Sequence, residues 1–232
     1  MNKSLLGASL FALALVAPAA HAHEAGDILV RAGAITVNPK ADSGSVKVDQ
    51  GPVAGANLGG KATMSSDTQL GLNFAYMVTD HVGIELLAAT PFEHDVKLKN
   101  TALGAANGKL GTLKHLPPTL SVVYYPLDKK SAFQPYVGAG INYTWIYDEH
   151  VGSRAESAGF SNFKAENSWG WAAQIGADYM INDKWMINAQ ARYIDISTKA
   201  TVENDAVAPG TRAKVNVDVD PMVYMVGIGY KF

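Results

Sequence analysis

Residues 135–147 read Pro135-Tyr136-Val137-Gly138-Ala139-Gly140-Ile141-Asn142-Tyr143-Thr144-Trp145-Ile146-Tyr147, and their alternation decides the fold class. Val137, Ala139, Ile141, Tyr143, Trp145 and Tyr147 share one face; Gly138, Gly140, Asn142 and Thr144 share the other. Period two belongs to a β-strand, because successive side chains leave a pleated backbone on opposite sides. The pattern recurs along the chain. Leu70, Leu72, Phe74, Tyr76 and Val78 oppose Gly71, Asn73, Ala75 and Met77, and Val82, Ile84, Leu86 and Ala88 oppose Gly83, Glu85, Leu87 and Ala89. Trp169, Trp171, Ala173, Ile175, Ala177 and Tyr179 face away from Gly170, Ala172, Gln174, Gly176 and Asp178. Trp185, Ile187, Ala189, Ala191 and Tyr193 oppose Met186, Asn188, Gln190 and Arg192. Residues 222–232 close the series, with Tyr224, Val226, Ile228, Tyr230 and Phe232 against Met225, Gly227, Gly229 and Lys231. Extended segments near 26–38 and 116–127 bring the expected strands to eight. The phase slips at Ile194-Asp195-Ile196, where a bulge or a barrel rim is expected.

A soluble β-sandwich also alternates, with its apolar face inward. Three features favour an antiparallel transmembrane β-barrel with that face outward. The polar face is studded with glycine, which a cramped lumen needs and a wet surface does not. Aromatic residues gather at the strand ends: Tyr76, Tyr179, Trp185, Tyr230 and Phe232 at one, Phe92, Trp145, Tyr147 and Trp169 at the other, as two interfacial girdles would. Short turns at 79–81, 128–132 and 182–184 alternate with long connectors at 39–66, 99–115, 149–167 and 199–215. That asymmetry puts both termini and the short turns in the periplasm and the long loops outside.

Composition excludes other classes. The chain has 232 residues, 17% of them charged, and no cysteine, so thiol chemistry and disulfides are absent. A mean hydropathy of +0.02 excludes a helical membrane protein. The net charge of -2 offers no basic footprint for nucleic acid. Residues 1–22 read as a cleaved leader, with Lys3, an apolar run from Leu5 to Ala17, and Ala20-His21-Ala22 as the cleavage motif. Residues 23–232 then form a single outer-membrane barrel of net charge -3, since losing Lys3 leaves 18 cations against 21 acids.

Several motifs resemble the OmpW family of small outer-membrane barrels, and within it the OprG-type members. They are His23-Glu24-Ala25-Gly26-Asp27, Thr68-Gln69-Leu70-Gly71-Leu72, Glu85 through Phe92, His115-Leu116-Pro117-Pro118-Thr119-Leu120, Pro135 through Tyr143, and Gly229-Tyr230-Lys231-Phe232. The resemblance implies a narrow, partly apolar channel that opens sideways into the membrane and takes up small, often hydrophobic, compounds. It also implies that Ile228, Tyr230 and Phe232 form the signal read by the barrel-assembly machinery.

Pro91 interrupts an alternating strand, and the neighbouring strand opens with Pro117-Pro118; none of the three can donate to a ladder. Their residues alone admit either a harmless bulge or a failed pairing toward the outer half that leaves a lateral gap. The family resemblance favours the gap. Facing inward, Leu87, Met77 and Met186 are candidates for an apolar constriction, and Leu87 matches the position that resembles the family's own. Glu85, Arg192, Asp178 and Gln174 are expected to line the channel, with Arg31, Asn73, Asn188, Gln190 and Lys231. Some family members carry Trp where Arg192 stands, so these charges fit a selectivity filter and an ion-paired plug equally.

Glu93-His94-Asp95 and Asp148-Glu149-His150 have the residue types of metal ligands, but as solvated rims no metal is expected, nor any other cofactor. No Gly-x-Ser-x-Gly occurs and no enzymatic role is expected. Ala155, Ala158, Phe160 and Phe163 suggest a helical turn capping the mouth. Lys97, Lys99, Lys109 and Lys114 are placed to touch lipopolysaccharide phosphates. The expected partners are therefore small solutes, lipid, lipopolysaccharide and the assembly machinery, around a monomer. A sealed structural or recognition barrel is the alternative to a channel.

Overall fold

The computed structural model describes residues 22–102, 104 and 107–232. The expected leader lies, apart from Ala22, outside them. The first half of the chain forms β1 (Ile28–Asn38), β2 (Asp42–Ser43), β3 (Val46–Gln50), β4 (Asn57–Met64), β5 (Asp67–Met77), β6 (Val82–Ala89), β7 (Phe92–Thr101), β8 (Gly108–Leu116) and β9 (Thr119–Tyr124). Then come β10 (Phe133–Val151), α1 (Ser153–Ser157), β11 (Phe160–Ala165), β12 (Ser168–Met180), β13 (Trp185–Ile194), β14 (Ser197–Asn204), β15 (Arg212–Asp218) and β16 (Met222–Lys231).

Eight of these close an antiparallel barrel in the order β1-β5-β6-β9-β10-β12-β13-β16, with β16 returning to β1. Closure leaves no sheet edge in lipid, where an unpaired backbone group has no water to bond. Outside, Ile141, Ile175, Val226 and Ile228 are each more than half exposed and form the apolar belt. Tyr143, Trp145, Trp169 and Trp171 edge it on one side, and Trp185, Tyr230 and Phe232 on the other. Inside, side chains must share a narrow bore. A Cβ on Gly176 would overlap the Tyr136 ring, so the small residue makes room for the large one.

The long connectors are not loops. Most of their residues continue the staves upward as β3, β4, β7, β8, β11, β14, β15 and the outer end of β10, which pair into a second tier stacked on the first. Within that tier every neighbour is joined by a ladder except β10 and β11. Side chains bridge that seam: Asn167 Oδ1 accepts from Ile146 N at 2.8 Å and Glu149 Oε1 from Ala165 N at 3.2 Å. The staves break between tiers near residues 39–45, 65–66, 90–91, 117–118, 166–167, 195–196 and 219–221; β10 runs through.

At these breaks the faces exchange character. Ala213, Val215, Val217 and Val219 are buried, while Asn216 and Asp218 are exposed. The Ile194-Asp195-Ile196 slip is therefore a rim and not a bulge, since Arg192, Ile194 and Ile196 stay on one buried face. The outer solvent has changed from lipid to water, and the side chains follow. Phe92 departs from the expected girdle. Thr90 and Pro91 are both exposed, which shifts the phase by one residue and turns Phe92 fully inside.

Candidate functional site

The lower lumen is filled by a polar network. Arg31 on β1 grips Asp178 on β12 with two donors, Nε to Oδ1 at 3.0 Å and Nη2 to Oδ2 at 2.6 Å. Its remaining hydrogens reach Asn73 at 2.9 Å, Tyr125 Oη at 2.8 Å and Glu85 at 3.4 Å. Arg192 Nη2 donates to Glu85 Oε1 at 2.6 Å and to Gln174, whose Nε2 meets the same Glu85 oxygen at 2.8 Å. Asn188 ties Asp178 to Tyr136 at 2.8 and 3.0 Å. Two arginines against two carboxylates leave this quartet neutral. All four are 0–1% exposed, and burial is tolerable because each charge is paired at short range. This is a stopper.

The sequence could not supply all of it. His23 enters from the N-terminal segment and meets Asp178 Oδ2 through Nε2 at 2.9 Å, yet lies in no strand and carries no periodic signal. Tyr136 was legible, since it shares the face of Gly138 and Asn142. Met77 and Met186 belong to an apolar cluster below the charges, with Leu29, Val123 and Met180. Leu87 belongs instead to the upper core. The three therefore do not form one constriction; the ion pairs separate them.

Above the stopper the bore turns apolar. Cavities of about 50, 20, 30 and 30 Å³ string from mouth to base. Val48, Leu98, Phe160 and Val202 wall the uppermost, and Val37, Ile146, Ile196 and Val219 the lowest. The strands of this shaft occupy the connectors expected as long loops. Its signal, the alternation of Ala213, Val215 and Val217 with Lys214, Asn216 and Asp218, has the same period as the membrane strands but the opposite sense. Of the expected helical turn, α1 holds only Ala155, with Ala158 at its cap, while Phe160 and Phe163 lie on β11; Ala155, Phe160 and Phe163 are all buried.

The wall's ladder lapses at the base of this apolar bore. β6 pairs β9 up to Leu87↔Thr119, and β7 pairs β8 from Phe92↔His115 onward. No ladder pair joins Ala88–Pro91 to Leu116–Pro118. The lapse is thus bounded: pairing resumes above it and the outer half is not open, because the phase shift at Thr90-Pro91 restores register for β7. Pro91 and Pro118 are exposed and Pro117 is buried. Asn142 Nδ2 reaches the carbonyls of Pro117 and Pro118 at 3.1 and 3.0 Å, holding the kink from within. Asn142 pairs with Thr119 and the adjacent Tyr143 with Trp169, so the lapse lies level with the outer girdle.

Its upper edge is a ring stack. Phe92 lies over His115 at 5.4 Å, and His115 over His94 at 4.8 Å, with the two Nε2 atoms 2.7 Å apart. His94 Nδ1 donates to Ser65 O at 2.6 Å, so its Nε2 accepts from His115. Burial, then the neighbouring His94, pushes the His115 imidazole down to about 3, and burial lowers His94 too. Glu93 and Asp95 turn outward, away from His94, and Asp95 pairs with Lys109 at 2.6 Å. At the far end, Ile228 and Phe232 point into lipid, and Tyr230 packs between Trp185 and Phe232 at 5.0 and 4.7 Å.

The OmpW family model matches residues 24–232. The chain is 42% identical over 232 residues to outer membrane protein W of Vibrio cholerae serotype O1, with both chains covered completely. It is 41% identical over 230 residues to outer membrane protein W of Escherichia coli K12, covering 99% of this chain and 100% of the relative. The crystal structure of OprG from Pseudomonas aeruginosa aligns with a TM-score of 0.84 at 47% identity, covering 92% of this chain and 99% of that one. A closed eight-stranded barrel with an apolar belt and two aromatic girdles, matched along nearly its whole length, belongs to the OmpW family of Gram-negative outer-membrane proteins.

Proposed function

We propose that this barrel is a passive channel for small hydrophobic molecules, which enter at the mouth, descend the apolar shaft and leave sideways through the window at Pro91, Pro117 and Pro118. The observation that carries the reading is the contrast along one axis. An apolar shaft ends on a stopper of buried ion pairs, and the wall's ladder lapses just above it. Each charge in the stopper is bonded across strands, so a polar solute going straight down would have to break buried ion pairs. An apolar solute gains by staying out of water and reaches lipid at the height of the outer girdle. Leu87, on the floor of the shaft beside the window, is the gate residue in this scheme. Met77, Met186, Glu85, Arg192, Asp178 and Gln174 seal the lumen below.

The test is uptake into proteoliposomes of an apolar aromatic fluorophore, run beside osmotic swelling in small neutral sugars and amino acids. Wild type should transfer the fluorophore and show no swelling. Pro91→Ala restores a backbone donor and should cut fluorophore transfer on the order of tenfold, about the weight of one well-made hydrogen bond. Swelling in wild type would mean an open lumen. Transfer indifferent to Pro91→Ala would remove the window from the route, and no transfer at all would leave a sealed structural barrel.

A further inference from the structure

The outer wall of the upper tier sets lysines directly opposite one another. Lys214 on β15 faces Lys47 on β3, Lys61 on β4 faces Lys99 on β7, and Lys97 on β7 faces Lys109 on β8. Like charges opposed across an antiparallel pair destabilise a sheet, and here three such pairs occupy five consecutive strands. Carboxylates answer one lysine of each pair: Asp49 lies 4.0 Å from Lys214, Asp42 3.0 Å from Lys61 and Asp95 2.6 Å from Lys109. Lys47, Lys97 and Lys99 are exposed and, among the described residues, have no carboxylate within 4.0 Å. A wall that concentrates unanswered cations is built for an anion that the folded chain does not supply.

Position identifies the anion. Lys97 stands six residues above Pro91 on the same stave, about 14 Å up at 3.3 Å per residue and a 45° tilt. The cations therefore lie above the outer girdle and face sideways, over the surrounding leaflet. At the mouth, the turn of residues 51–56 has no charged residue, 205–211 carries only Asp205, and α1 sets Arg154 against Glu156, so these segments present no net cation. A polyanion arriving from the medium would meet neutral loops first, whereas a phosphorylated lipid beside the barrel meets the lysines. Lys97, Lys99 and Lys109 also stand on the two strands whose lower ends frame the window.

We infer that the face formed by β15, β3, β4, β7 and β8 binds the phosphorylated sugar headgroup of lipopolysaccharide, with Lys47, Lys97 and Lys99 as its principal cations. Three ammonium groups answer phosphate oxygens as point charges, without the fixed geometry an arginine would impose.

The experiment titrates the full-length protein in nanodiscs with deep-rough lipopolysaccharide, its dephosphorylated form, phosphatidylglycerol and inorganic phosphate. Lys47→Gln/Lys97→Gln/Lys99→Gln is compared with Lys129→Gln/Lys130→Gln/Lys184→Gln, which changes as many lysines at the periplasmic turns. The first triple should weaken lipopolysaccharide binding on the order of a hundredfold and the second less than about twofold. Without lipopolysaccharide the first triple should melt no lower than wild type, because it relieves repulsion; with it, the protective rise in melting temperature should disappear. Undiminished binding by the first triple overturns the inference. So does phosphatidylglycerol or dephosphorylated lipopolysaccharide binding as well as the intact glycolipid, or inorganic phosphate displacing it completely.

Discussion

The two tiers of this barrel share strands, staves and period, yet they are inside out relative to each other. Below the breaks, Arg31, Glu85, Asp178 and Arg192 face the axis and Ile141, Ile175 and Val226 face outward. Above them, Val46, Leu98, Phe163 and Val215 face the axis while Lys47, Lys99 and Asn216 face outward. The difference teaches that a barrel wall carries no preference of its own. Whatever lies outside, lipid or water, dictates one face, and the bore receives the remainder. The apolar bore and the polar bore are thus the two halves of one inversion, and the lapse in the ladder sits where the halves meet.

The comparison breaks most readily in the lower bore. Arg31→Ala leaves Asp178 without its bidentate partner and should destabilise the barrel by about 3–5 kcal/mol, as losing one member of a buried pair does. Guanidinium unfolding from phosphatidylcholine vesicles measures it, and a loss under about 1 kcal/mol would mean the network is wet and the stopper loose. One substitution made in both tiers sharpens the contrast next. Val226→Lys places a cation in the apolar belt and should cost about 2–4 kcal/mol, while Ser161→Lys, outward on the upper tier opposite Glu203, should stay within about 0.5 kcal/mol. Equal costs would erase the boundary between the tiers.

The smallest effect belongs to the ring stack. Folded His115 stays neutral down to about 3, whereas its ordinary value is 6.5. Between those values the unfolded chain holds more protons, so stability is fully present above that window and falls as the pH drops through it. At about pH 5 the loss should be roughly 2 kcal/mol, and His115→Asn should flatten the dependence. An unchanged slope in that variant would place the acid-sensitive group elsewhere.

Much of the fold was legible because period two is a local property. Six of the eight staves announce their inward and outward residues over about ten positions each, and the glycines opposite the aromatic residues disclose a cramped bore. The upper tier was misread for a reason equally physical. Its alternation is intact, but a sequence does not say which medium bathes a face, and polar outward residues resemble a loop.

The sequence by itself determined a closed antiparallel barrel, its apolar belt, its girdles and the inward charges, since each follows from side-chain parity along one strand. Only the tertiary structure decided which of those charges meet. His23 and Asp178 are 155 residues apart in the chain, and Arg31 and Asp178 147, so their pairing depends on how staves wrap and shear around the axis. It likewise decided that pairing lapses only between Leu87↔Thr119 and Phe92↔His115, because register lost at one proline can be recovered only by the strand that pairs beyond it.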